Sequence, residues 1–229
     1  MPYGKRIVCL ANSFKIGGSC IAGKEMPAGR DSSWIRPVSA RETAEVRPQE
    51  CRLYDHALPK DLDILEIPLL RALPCGHQTE NHLIDPACRW NRVGTMAWSE
   101  LSLICDRPAS LWINGNHTKR GTNNCVAAEQ ASSLRNSLFL IRPESFCVEV
   151  PFEEDDRPIR RLWSRFRYNG EYYALRLTDP VMANAFRGEP EGDYLLENVY
   201  LCVSLTEPYK QDGRCHKLVA AVLSERESN

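Results

Sequence analysis

The chain has 229 residues, 43% hydrophobic and 26% charged, with 29 basic against 30 acidic side chains. That balance is ordinary for a globular protein and excludes a disordered chain or a fibre. At about 150 residues per domain, the length allows one large domain or two small ones, each able to bury a core.

In chain order, Lys5 to Ala11, Ser19 to Lys24 and Ser33 to Ser39 read as three strands, and Ile64 to Leu70 as a fourth. Leu73 to Asn91 is rich in turn and polar residues. Met96 to Cys105 has a helical apolar pattern, and Leu111 to Asn114 is read as returning to the sheet. The polar stretch Gly115 to Asn124 is a loop, and Ala127 to Arg135 a short helix. An apolar run from Leu138 to Val150 is a further strand.

The clearest local signal is Arg161 to Thr178, two alternating runs around Asn169-Gly170. Asn-Gly between such runs marks a two-residue hairpin. Counting outward from it pairs Arg167 with Tyr172, Arg165 with Ala174 and Trp163 with Arg176. One face then holds Leu162, Phe166, Tyr168, Tyr173, Leu175 and Leu177, a core face. The other holds Trp163, Arg165, Arg167, Tyr172 and Arg176. Asp179-Pro180 supplies a cap and first-turn proline for a helix running to Arg187, and strands at Asn198 to Leu205 and His216 to Leu223 follow. The order strand, strand, strand, helix, strand, strand is that of an OB-type barrel. The expected fold is therefore mainly β, two OB-type β-barrels in tandem with a few short helices. Residues 1–114 form the first barrel with an inserted loop and helix region, 115–136 the connection, and 137–229 the second barrel.

The ten cysteines include no Cys-x-x-Cys pair and most sit in apolar runs, so they are read as reduced core thiols. No run approaches the ~18 apolar residues of a membrane helix, and Ile7 to Ala11 is too short for a signal-peptide core, so a cytoplasmic protein without membrane contact is expected. Charge is even along the chain, 14 basic against 13 acidic through residue 110 and 15 against 17 after it. Any binding of nucleic acid must therefore use a local patch.

Three groups of residues are candidates for such a patch. The outer hairpin face, Trp163, Arg165, Arg167, Tyr172 and Arg176, combines stacking rings with phosphate-binding guanidiniums. Equally, it packs against another lobe, or the acidic run Glu153 to Asp156 neutralises it. Asn12, Ser13 and Lys15, read as a turn after the first strand, together with Arg36, suit a phosphate or carboxylate, or else form a structural turn. His77, Gln78, Glu80 and Asn81 are a ligand edge or a buried polar network that must be internally satisfied. Cys75, His77, His82 and Cys88 lack a common zinc spacing, and Gly18 to Lys24 departs from a P-loop by ending in Glu25, so neither metal nor cofactor is expected. No nucleophile elbow or dinucleotide fingerprint is present, which points away from an enzyme and leaves a cryptic hydrolase as a lesser alternative.

KRIVCLANSFK at Lys5 to Lys15, Cys20 to Gly23, WIRPVS at Trp34 to Ser39, HQTEN at His77 to Asn81, LW-x-N at Leu111 to Asn114, LTDP at Leu177 to Pro180 and the final CVSLTEPY and HKLVAAV stretches follow one another through nearly the whole chain. In that order and spacing the sequence resembles the dual OB-containing domain family of bacteria. The resemblance implies binding or sensing of nucleic acid, single-stranded, or of a nucleotide-type ligand, in bacterial conflict systems. The competing class is an interaction module whose exposed rings meet a protein partner.

Overall fold

The computed structural model describes residues 2–15, 17–27, 29, 32–152 and 161–225. The chain divides into two compact units, Met1–Cys105 and Asp106–Asn229. Residues 106–136, which include the expected connection, thus belong with the second unit.

The first unit contains β1 (Tyr3–Lys15), β2 (Gly18–Glu25), β3 (Trp34–Val38), β4 (Asp63–Ala72), β5 (Asn81–Ile84) and β6 (Asn91–Thr95). A single 3-10 turn, Trp98–Glu100, leads into the short helix α1 (Leu101–Ile104). The strands run β1-β2-β3-β5-β4, and β1 also pairs with β4, so five strands close into a barrel with β6 added beside β4. A long β1 makes closure possible. Its first half pairs with β4 and its second half with β2, and the register slips between Cys9 and Ala11. Such a bulge bends a strand, which is what serving two partners requires. β3 and β5 pair in parallel. Along β4 the alternation of buried Asp63, Leu65, Ile67 and Leu69 sends one face inward against Ile7, Cys9, Ile21, Ile35 and Trp90. Each such aliphatic side chain contributes about 1.5 to 3 kcal/mol on burial. Gly23 has a steric reason: a Cβ there would meet the Val8 carbonyl oxygen at 2.1 Å, so β1 and β2 could not approach as they do.

The second unit contains β7 (Cys125–Ala127), α2 (Ala128–Ala131), β8 (Leu138–Ile141), β9 (Ser145–Val150), β10 (Trp163–Tyr168), β11 (Glu171–Leu177), α3 (Pro180–Ala185), β12 (Gly192–Leu195), β13 (Val199–Pro208) and β14 (Arg214–Ser224). Its strand order is β12-β9-β10-β11-β14-β13-β8, with β7 beside β14. Here the two partners of the long strand that opens an OB barrel are served by two separate strands, β8 and β9. The apolar run expected as one strand is broken at Arg142-Pro143-Glu144, because proline has no N–H for a ladder. β8 pairs with β13 and β9 with β10, and β11 meets β14 in parallel, as β3 meets β5. The core gathers Phe146, Val148, Phe166, Tyr173, Leu175, Leu201 and Val219.

Leu111 to Asn114 was expected as a strand and is a loop. Side chains hold it instead. The Tyr173 hydroxyl accepts from the Leu111 N–H at 3.2 Å and from Asn114 Nδ2 at 2.8 Å. Lys217 Nζ, on β14, donates to the Ile113 carbonyl and to Asn114 Oδ1, both at 2.9 Å.

Asp179 is buried and accepts at Oδ1 from the N–H groups of Val181 and Met182, capping α3. Its Oδ2 accepts from the Val222 N–H at 2.9 Å, tying the helix start to β14. Asp179→Ala orphans these donors. The expected loss is about 2 to 4 kcal/mol, read as a fall of the thermal midpoint by about 10 °C; a fall below about 2 °C would show that the cap is not structural.

None of the ten cysteines is disulfide-bonded. Six are buried, but Cys147 is on the outward face of β9 and Cys75 and Cys88 are exposed, so the reading of core thiols holds only for the majority. No helix among the described residues is long and apolar enough to cross a membrane.

Candidate functional site

The outer face of the β10–β11 hairpin follows from its turn. Asn169 and Gly170 both have positive φ, 49° and 75°, the conformation that a two-residue hairpin of the right twist needs. The register is Trp163 opposite Arg176, Arg165 opposite Ala174 and Arg167 opposite Tyr172, as the outward count gives. Leu162, Phe166, Tyr168, Tyr173, Leu175 and Leu177 are buried. Arg167, Tyr172 and Arg176 are exposed and Trp163 and Arg165 half-buried on the opposite side.

Neighbouring strands add what the hairpin sequence does not contain. Glu149 of β9 stands opposite Trp163, and Asp193 of β12 opposite Glu149. Arg165 bonds both carboxylates, Glu149 at 2.9 Å and Asp193 at 3.0 Å. Despite partial burial, these two charges hold its guanidinium further above its ordinary range. Arg165 is therefore a committed cation. Thr122 exchanges two backbone hydrogen bonds with Ala174, so the loop after Leu111–Asn114 runs along the edge of β11 and covers Ala174. Two residues earlier, Arg120 places its guanidinium 5.4 Å from the Trp163 ring centroid and reaches Glu149 at 3.1 Å. The acidic run expected to neutralise the face, Glu153 to Asp156, lies outside the described residues; Glu149 and Asp193 do part of that work. Arg120, Glu149 and Asp193 were missed because their partners lie 16 or more residues away, and no spacing rule reaches that far.

Asn12, Ser13 and Lys15 are on β1, which continues through Lys15, and not in a turn after it. They face Ile21, Cys20 and Gly18 of β2. Asn12 Nδ2 donates to the Pro59 carbonyl at 3.0 Å, and the buried Ser13 hydroxyl donates to the Cys20 carbonyl at 3.4 Å. Arg36 is placed with the HQTEN segment instead. On β3 it stands beside Asn81 of β5, with Nη2 3.4 Å from Glu80 Oε1 and Nη1 donating to Asn81 Oδ1 at 3.5 Å. Asn81 Nδ2 donates to Gln78 Oε1 at 3.2 Å, and the Arg36 N–H to the Glu80 carbonyl at 2.8 Å. Arg36, His77, Gln78, Glu80 and Asn81 are all buried. A network so enclosed fastens the parallel strands together. Among the described residues no three His, Cys, Asp or Glu side chains are grouped as a metal ion would need. An open depression of about 720 Å³ lies elsewhere on the first unit, lined by Tyr3, Lys5, Arg6, Tyr54 and Glu66 among others. Lys5 and Arg6 there are paired with Glu25 and Glu66.

Both units thus carry the strand order and parallel closing pair of OB-type barrels, one of them with rings and guanidiniums on the outer face of its second and third strands. The chain matches the dual OB-containing domain family over residues 5–222, and it belongs to that family. No curated protein and no solved structure matches it.

Proposed function

We propose that the second barrel binds single-stranded nucleic acid, or a nucleotide-type ligand, across the outer face of β10 and β11. The observation that carries this reading is the grouping of Arg167, Tyr172 and Arg176, all exposed, beside Trp163, the two arginines having no ion pair among the described residues. Exposed rings offer stacking worth about 1 to 3 kcal/mol per base, and free guanidiniums follow the phosphates. A cytoplasmic role in a bacterial conflict system belongs to the same proposal and rests on the family likeness alone.

Fluorescence anisotropy with labelled DNA and RNA strands at several salt concentrations tests it. Binding is expected to weaken log-linearly with salt, with a slope of about 0.7 per phosphate neutralised. Trp163→Ala combined with Arg167→Glu is expected to weaken it at least about tenfold, from one lost stack and one reversed charge. Binding that ignores both salt and the double substitution would overturn the proposal. The second reading, a protein-partner surface, is favoured by Leu195, 79% exposed on β12, and predicts binding of a protein that hardly responds to salt.

A further inference from the structure

Arg120 shows what its neighbours accept. Its guanidinium is flat, lies over the Trp163 indole at 5.4 Å, and from that position donates from Nη2 to Glu149 Oε1 at 3.1 Å. A planar group that sits over a ring while donating an N–H to a carboxylate has the chemistry of an amino-bearing nucleobase. The carboxylate is fixed independently of Arg120: Glu149 Oε2 is held by Arg165 Nη2 at 2.9 Å, and Arg165 Nη1 by Asp193 at 3.0 Å. The loop backbone is fixed as well, through Thr122 and Ala174. Arg120, its side chain 46% exposed, can therefore leave the indole by rotating its stem while Glu149 and the loop stay in place.

We propose that Arg120 is an internal occupant of a base-binding subsite formed by Trp163 and Glu149, and that the subsite selects bases carrying an exocyclic amine over uracil and thymine. The proposal rests on the nucleic-acid reading of this face. When a strand binds, a base displaces Arg120 from the indole and its amine donates to Glu149 Oε1. Cytosine offers N4–H at the position where uracil offers the O4 carbonyl. An oxygen turned toward a carboxylate gains no hydrogen bond and leaves Glu149 Oε1, which Arg120 has vacated, desolvated without a donor.

The test compares oligo(dC) with oligo(dU) of equal length, which differ at that ring position. With the whole chain, oligo(dC) is expected to bind about tenfold more tightly, the fold-change of one good hydrogen bond gained or lost. Glu149→Gln, whose amide both donates and accepts, is expected to bring the ratio close to one, with an unchanged thermal midpoint as the folding control. In the free protein Arg120→Ala is expected to raise collisional quenching of the Trp163 fluorescence, isolated by subtracting a Trp163→Phe background. Equal affinity for the two strands, in binding that still depends on Trp163, would overturn the subsite and leave the broader function standing. A ratio that survives Glu149→Gln would overturn the role of the carboxylate. Binding of neither strand would overturn both.

Discussion

Arg36→Met is expected to destabilise the first barrel by about 3 to 5 kcal/mol, the range for removing one partner of a buried ion pair. Arg36 and Glu80 are both about 4% exposed and 3.4 Å apart, so the methionine leaves a carboxylate in the interior facing an apolar chain. Asn81 Oδ1 loses the same donor. Because β3 and β5 pair in parallel at Arg36 and Asn81, the loss falls on the strands that close the barrel. Hydrogen exchange of the β3 and β5 amides in the whole chain measures it. The pair Arg36→Met with Glu80→Leu is expected to recover much of the loss, since neither charge of the ion pair then remains. A single substitution costing under about 1 kcal/mol would show that Glu80 is solvated in a way its burial does not suggest.

The second large effect is a pH dependence in the other barrel. Lys217 is 1% exposed and points into the core with Cys215 and Val219. Burial pushes its ammonium down from 10.5 to about 7, while Cys125 and Glu171 pull weakly the other way. Between those two pH values the unfolded chain binds one more proton than the folded one, so stability rises as pH increases from about 7 to 10.5. The slope approaches 1.4 kcal/mol per pH unit, and the whole window is worth roughly 5 kcal/mol at most. Denaturation at several pH values, taken as wild type minus Lys217→Met, isolates the contribution from other titrating groups. A flat difference would show that the two hydrogen bonds and the Tyr173 ring, 5.5 Å away, keep Lys217 charged throughout.

What could be read from the amino acids is what neighbours in sequence decide. Asn169-Gly170 set the hairpin and its register because a turn with two positive φ values fits few residue pairs. Asp179-Pro180 marked the start of α3 because capping acts within one turn. β5, β6 and β12, each of four or five residues and partly polar, show too little alternation to stand out from loops. Arg36, read as lying on the third strand, was grouped with Lys15 of the first; the parallel pairing that sets it beside Asn81 spans 45 residues. Arg120 and Glu149 were invisible for the same reason. Their meeting depends on the backbone bond between Thr122 and Ala174, which no local rule anticipates.

The parallel pairing of β11 with β14 has a consequence for biosynthesis. Arg176 meets Leu218, 42 residues later, so the end of β11 beyond Ala174, which Thr122 covers, must wait for most of that chain to be translated before its second edge is covered. During that interval a nascent chain displays an open ladder of N–H and carbonyl groups, a template on which other strands can assemble. Slow translation between α3 and β14 would lengthen the exposure, and β3 of the first barrel waits in the same way for β5, whose Asn81 comes 45 residues after Arg36.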